Sequence, residues 1–292
     1  MVRSHLIPLI IAGPTASGKS ALALKLALRH NGEIICADSR QFYANMNIGA
    51  AGPSPHELEA VPHHGYGMLD LNTHKIDAGF FVDFALKTIA DIQSRNRRPI
   101  LVGGGGLYLR SLRYGLLDVP PSNPDVACML EKRCDEIGLL RMHDELFKID
   151  PACAKGIHQQ DRYRIVRALE IFYVSGSKPS SVRQSFKIAK PKLLAHWVLK
   201  RPHRELLLKR IESRVIEMFD QGLLKEAIAL RELVPRDHWC LNVMGYREAL
   251  MLADRQISKE MAIEQTIIRH RQYAKRQYTW FNKEPFYRLV IQ

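Results

Sequence analysis

A chain of 292 residues, 46% hydrophobic and 25% charged, has enough apolar material for a full core and room for more than one domain, which excludes a low-complexity or disordered polymer. Subtracting 30 acidic from 43 basic residues leaves a net charge of +13, so a polyanion, nucleic acid first of all, is the expected partner class. Five cysteines (Cys36, Cys128, Cys134, Cys153, Cys240) at irregular spacings exclude a disulfide framework and a zinc ribbon; with no leader-cleavage site and nothing near the ~20 apolar residues of a membrane span, a cytoplasmic protein is expected.

The first ~115 residues alternate short apolar runs with helical periodicity, the pattern of a parallel α/β sheet. Leu6 to Ala12 predicts the first strand. It runs into Gly13-Pro14-Thr15-Ala16-Ser17-Gly18-Lys19-Ser20, which fits G-x-x-x-x-G-K-[ST], and the helix formers Ala21 to His30 follow. The glycines let successive N–H groups curl round an anion, Lys19 adds a positive charge, and Ser20 can place its hydroxyl on a Mg²⁺ ion at the helix N-terminus. A polyphosphate is expected there, and ATP is the ordinary ligand of such a loop. Ile34 to Ala37 predicts the second strand, with Asp38 at its carboxyl end, where the ligand crevice of an open α/β sheet lies.

Phe81, Phe84, Ala85, Ile89 and Ile92 recur at helical spacing, and Pro99 to Val102 predicts a third strand that ends in the glycines 103 to 106, a second backbone turn at the same crevice. From about Asp118 the pattern changes. Pro120-Pro121-Ser122-Asn123-Pro124 breaks it, and helices follow around Val126 to Ile149 and Arg162 to Val174. Leu193 to Leu199 predicts a return to the sheet, followed by an amphipathic helix through Leu206, Ile211, Val215, Met218 and Phe219 and a final helix up to Trp280. The boundaries expected are a core of 1–117 with 193–292 and a helical insertion of 118–192.

A carboxylate beside a polyphosphate, as at Asp38, suits a general base or an indirect Mg²⁺ partner; a plain helix N-cap is the lesser alternative beside a phosphate loop. Gln41 can read an amide-like base edge. Arg162, Arg164 and Arg167 lie close together, and Arg269, Arg271, Lys275 and Arg276 interleave with Tyr273, Tyr278 and Trp280, a mixture that suits looped or single-stranded RNA and also an ordinary solvated basic face. His56, His63, His64 and His74 match no metal spacing and predict a polar loop.

Taken together, these motifs resemble the tRNA dimethylallyltransferase (tRNA isopentenyltransferase) family across nearly the whole chain. The resemblance rests on Gly13 to Ser20, Asp38-Ser39-Arg40-Gln41, Pro62-His63-His64, the glycine turn before Leu107-Tyr108, Arg164 with Arg167-Ala168-Leu169-Glu170, Gly245-Tyr246-Arg247-Glu248, and Arg271-Gln272-Tyr273-Ala274-Lys275-Arg276-Gln277 before Thr279-Trp280-Phe281. It implies a P-loop NTPase-like core with a helical insertion that clasps the anticodon stem-loop, working as a monomer. It also implies transfer of a dimethylallyl group from its diphosphate to N6 of the adenosine 3′ to the anticodon, in tRNAs reading codons that begin with U. Asp38 would then accept the amine proton, and the loop, Lys19 and Mg²⁺ on Ser20 would hold the departing diphosphate. Asp38, Ser39, Arg40, Gln41, Tyr163, Arg164, Ile165, Val166, Arg167, Arg271, Lys275 and Arg276 would contact tRNA.

The chain departs from the family pattern at Gly105, where a threonine is usual, at Ala127, where an arginine is usual, and over Gly65-Tyr66-Gly67-Met68. Loss of a hydroxyl and a cation near the diphosphate weakens leaving-group stabilisation unless Arg110, Arg113 or a neighbouring basic residue compensates. Two other readings stay open on these residues. One is a small-molecule P-loop kinase with Asp38 activating a hydroxyl, and the other is a tRNA-binding protein with weakened catalysis.

Overall fold

The computed structural model describes residues 6–72, 76–116, 120–181, 193–284 and 289–291. His74 and Asp118 lie outside them. The elements at the start of the chain are β1 (Leu9–Ala12), α1 (Lys19–Arg29), β2 (Gly32–Cys36), α2 (Asn47–Ala50), α3 (Pro55–Ala60), β3 (His63–His64), α4 (Ala78–Ser94), β4 (Arg98–Gly103) and α5 (Gly106–Tyr114). Then come α6 (Pro124–Ile137), α7 (Leu139–Ile149), α8 (Pro151–Ala154), α9 (Arg162–Ser175), β5 (His196–Lys200), α10 (Arg204–Asp220), α11 (Leu223–Leu233), α12 (Tyr246–Ala253), α13 (Lys259–Asn282) and β6 (Leu289–Ile291).

Among the described residues the strands form one parallel sheet in the order β3-β2-β4-β1-β5-β6. Apart from Arg98, every residue of β1, β2 and β4 is buried, as a sheet covered on both faces requires. Leu9, Ile11, Ile34, Ile100, Val102 and Val198 pack beneath Ala23 and Ala27 of α1. The first strand starts at Leu9, three residues later than expected, because Pro8 has no N–H for a central ladder. The polar loop expected at His63 and His64 is instead a short edge strand. There His64 Nε2 meets the buried Glu33 carboxylate at 2.6 Å, and Arg95 and Arg97 reach the same carboxylate. In α10 the expected inward face holds at Ile211, Val215, Met218 and Phe219, and at its start Leu207 is buried in place of Leu206, which is 44% exposed.

The chain divides into two compact units, Met1–Arg110 with Leu194–Gln292, and Ser111–Leu193. The second has its own core of Leu130, Cys134, Met142, Leu146, Ile165 and Leu169, contributed by α6, α7 and α9. The helical stretch expected over Val126 to Ile149 is two helices that meet at Gly138, whose φ of 84° only glycine adopts cheaply. No helix among the described residues is long and apolar enough to cross a membrane.

Candidate active site

Because β1, β2 and β4 run parallel and side by side, their carboxyl ends deliver three segments to one crevice: the loop 13–20, Asp38 and the glycine turn 103–106. In the first segment Ala16 (φ 58°) and Gly18 (φ 83°) take left-handed backbone, which turns successive N–H groups toward one point. Ser17 is fully buried and its hydroxyl has no partner among the described residues, an orphan donor that an anion oxygen would satisfy. Ser20, in the first turn of α1, is exposed.

Lys19 Nζ donates to the Pro14 carbonyl at 3.3 Å. Burial, and then the charge of Arg214, push its pKa down to about 8 against an upward pull from Asp38. Arg214 comes from α10, and its Nη1 donates to Thr15 Oγ1 at 3.1 Å; Arg210, one turn earlier, donates to the Ser17 carbonyl at 3.1 Å. Lys19, Arg214 and the Asp38 carboxylate therefore act on one another in this crevice. The sequence pattern did not single out Arg214 or Arg210. The available signal was the fifth strand: the helix that follows its carboxyl end must begin beside the loop, and that helix is rich in arginine.

Asp38 Oδ1 accepts the Arg40 N–H at 3.0 Å, which makes the Asp-Ser-Arg turn a rigid mount for the carboxylate. The Arg40 guanidinium lies 4.5 Å from the centroid of the Trp239 ring. Gln41 does not reach out to read a base edge as expected; its Nε2 donates to the carbonyls of Ala50 and Ala51 and builds the wall of the crevice. Gly105 N–H donates to the Ala37 carbonyl at 3.3 Å, and a Cβ at 105 would lie 3.0 Å from that oxygen and 3.1 Å from the Tyr108 ring. A threonine there needs neighbours to move by a few tenths of an ångström. Arg110, a candidate for compensation, is ion-paired with Glu284 at 3.1 Å. Among the described residues no cluster of histidine, cysteine or acidic side chains could hold a metal.

On α13, Lys275 and Arg276 are exposed, Arg276 lies over Tyr273, and Arg271 reaches Glu212 at 3.5 Å. Burial raises the Tyr273 pKa and the Asp38 charge adds to it, so the phenol stays protonated beside the carboxylate.

Within the second unit, Tyr163 is 72% exposed and the Arg164 side chain 57%, while Ile165 and Val166 are buried. The expectation that all of 163 to 167 faces RNA is corrected: helix periodicity sends the two apolar side chains into the core. Arg167 is held by Glu170 at 2.7 Å and by the Pro120 carbonyl at 2.8 Å, and the buried Glu170 also accepts from Ser122 and the Asn123 N–H. Ala127 lies half-buried on α6. Arg167→Ala strands the Glu170 carboxylate and is expected to destabilise this unit by about 3 kcal/mol, read by chemical denaturation. Arg164→Ala leaves stability unchanged, weakens RNA binding and flattens its salt dependence by about one unit of slope. Equal effects of the two substitutions on RNA affinity, with no stability difference, would contradict this division of roles.

Residues 41–284 match the model of the IPP transferase family. The chain is 40% identical over 276 residues to a tRNA dimethylallyltransferase of Geobacter metallireducens, covering 94% of this chain and 89% of that one. It is 39% identical over 282 residues to one of Myxococcus xanthus, with the same coverage. Among solved structures it resembles a full-length tRNA isopentenylpyrophosphate transferase from Bacillus halodurans, with a TM-score of 0.68 and 34% identity, over 98% of this chain and 88% of that one. It also resembles a eukaryotic dimethylallyltransferase described as acting on tRNA, with a TM-score of 0.78 and 31% identity over 94% and 69% of the two chains. On the matched family model and this identity over nearly its whole length, the chain belongs to the IPP transferase family, the tRNA dimethylallyltransferases.

Proposed function

We propose that the protein transfers a dimethylallyl group from dimethylallyl diphosphate to N6 of the adenosine 3′ to the anticodon, in tRNAs that read codons beginning with U. The observation that carries the reading is the shared crevice of Asp38, Lys19 and Arg214: a carboxylate able to take a proton stands beside two cations able to take a diphosphate. An exocyclic adenine amine is a weak nucleophile. Asp38 hydrogen-bonds it and accepts its proton as nitrogen attacks the allylic carbon, and the C–O bond to the diphosphate breaks. Negative charge growing on the leaving group meets the loop N–H groups, Lys19 and Arg214, which are already in place and cost no reorganisation. The adenine reaches the crevice only after leaving its stack.

The donor set suits a Mg²⁺ ion brought mainly by the substrate's phosphates, which the Ser20 hydroxyl at the N-terminus of α1 would help to hold. Bound there, such an ion would add positive charge beside the diphosphate. For tRNA, the exposed Tyr163 and Arg164 of the insertion offer a stacking face and a phosphate contact, as do Arg40, Arg271, Lys275 and Arg276 of the core, while Ser39 and Arg167 act through their neighbours. A basic chain acting on tRNA is proposed to work where tRNA is found, in the cytoplasm, and as a monomer. Incubation with Mg²⁺, dimethylallyl diphosphate and an anticodon stem-loop should add one C5 unit to the RNA, measured by mass spectrometry. Folded protein that leaves the RNA mass unchanged would overturn the proposal, and salt-dependent RNA binding without product would establish the weakened-catalysis reading in its place.

A further inference from the structure

Gln277 lies on the inward face of α13, 6% exposed, and both ends of its amide are engaged. Its Oε1 accepts the N–H of Thr15 at 2.8 Å, and its Nε2 donates to the carbonyl of Gly104 at 3.2 Å. One side chain thus ties the phosphate loop to the second glycine turn. The fit is close: a Cβ on residue 104 would stand 2.2 Å from Nε2, so a side chain there would displace the Gln277 amide. Only a carboxamide of this length presents an acceptor and a donor in one plane. Asparagine is a methylene short, glutamate has no donor for the carbonyl, and methionine has no donor and only a weak acceptor.

The two bonds have a consequence for the chemistry. With its N–H given to Gln277, Thr15 contributes no amide to an anion, and the seat falls to the amides nearer α1, the Ser17 hydroxyl and Lys19. On the other side, the glycine turn is fastened through Gly105 N–H to the Ala37 carbonyl, next to Asp38. The path Thr15–Gln277–Gly104–Gly105–Ala37 therefore fixes the distance between the leaving-group cradle and the wall that carries the proton acceptor. Arg214 braces the same Thr15 through its hydroxyl.

We infer that Gln277 is a positioning residue for group transfer, holding the diphosphate cradle and the Asp38 wall at the separation the reaction needs. The inference rests on the transferase reading. Gln277 acts through Thr15 and Gly104, and its loss changes where the reacting atoms stand more than how tightly the diphosphate binds. A misplacement of about 1 Å costs on the order of 10²-fold in rate.

The test compares wild type, Gln277→Met and Gln277→Glu in the C5-transfer assay, with the affinity for inorganic pyrophosphate in Mg²⁺ and the melting temperature measured alongside. For Gln277→Met, kcat at saturating donor and RNA should fall by about 10²-fold while the pyrophosphate Kd stays within about threefold of wild type. Gln277→Glu keeps the acceptor for Thr15 but sets an oxygen against the Gly104 carbonyl and a negative charge near the diphosphate. It should lose at least as much kcat and weaken pyrophosphate binding by about tenfold as well. A merely structural role would lower the melting temperature and leave kcat per folded molecule unchanged. That result, or a loss confined to the KM for donor, overturns the inference. Should Gln277→Met not fold, Gln277→Glu decides by its kcat alone: retention within about threefold of wild type overturns the inference. An inactive wild type overturns the transferase reading and this inference with it, whereas an active wild type with unaffected variants overturns this inference alone.

Discussion

Asp38→Ala is expected to lower C5 transfer by about 10² to 10⁴-fold, the range spanned by loss of a positioned general base, with RNA affinity unchanged or slightly increased. The two halves of that expectation have separate causes. The carboxylate sits at the end of β2 with Oδ1 fixed by the Arg40 N–H, so it is mounted by a local turn that survives when the side chain is removed. Its removal also takes one negative charge away from a chain whose excess is +13, which cannot weaken attraction to a polyanion. Asp38→Asn sharpens the test. An amide keeps the acceptor for Arg40 N–H and the shape of the crevice, and it cannot take up a proton. Transfer should therefore fall nearly as far in Asp38→Asn as in Asp38→Ala, measured in single-turnover reactions with a filter-binding assay for RNA beside them. Near-normal turnover in either variant removes the proton-acceptor role. A loss that Asp38→Asn restores would show that the residue serves only as a hydrogen-bond acceptor for the turn.

The two ends of the site were unequally legible. Gly13 to Ser20 could be read directly because a phosphate loop is local: strand, turn and helix lie within about two dozen residues, and every glycine is there for the backbone around it. Asp38 could be read because it ends an apolar run, and a strand end has a known relation to the crevice. Arg214 and Gln277 could not be read in this way. Each reaches Thr15 from about 200 residues or more away, and each depends on which face of a long helix turns inward. The start of α10 shows how fine that dependence is: Leu206 and Leu207 are both apolar, and Leu207, four residues before Ile211, is the one that turns inward. The edge strand β3 escaped because two histidines carry no apolar run; the buried Glu33 holds His64 and the Val61 carbonyl holds His63 instead. Ile165 and Val166 show the opposite error, where a motif covers consecutive residues and a helix presents only some of them to a partner.

Removing the loop's cation has the second large effect. Lys19→Met should lower kcat by about 10² to 10³-fold, as loss of a preorganised group that stabilises transition-state charge does, and should weaken pyrophosphate binding besides. Arg214 does not replace it, because its guanidinium is held on Thr15 Oγ1 and approaches from the α10 side. The pH dependence isolates the contribution. In the ligand-free protein, burial and Arg214 depress the Lys19 pKa to about 8, so the ammonium is present below that value and is lost as pH rises through it. A bound diphosphate favours the charged form and raises the pKa again, which makes the affinity depend on proton uptake above pH 8. The wild-type Kd for pyrophosphate should accordingly be flat just below pH 8 and rise by up to about tenfold per pH unit above it, once the ligand's own titration is subtracted. Lys19→Met supplies that subtraction, because pyrophosphate titrates identically against both proteins. The difference between the two curves should be largest below pH 8 and shrink above it, as the wild type comes to share the variant's lack of charge. A difference that stays constant from pH 7 to pH 10 would mean that Lys19 keeps its proton throughout. In that case the neighbouring Asp38 carboxylate would outweigh burial and Arg214 together, and the cradle would hold its full charge at any working pH.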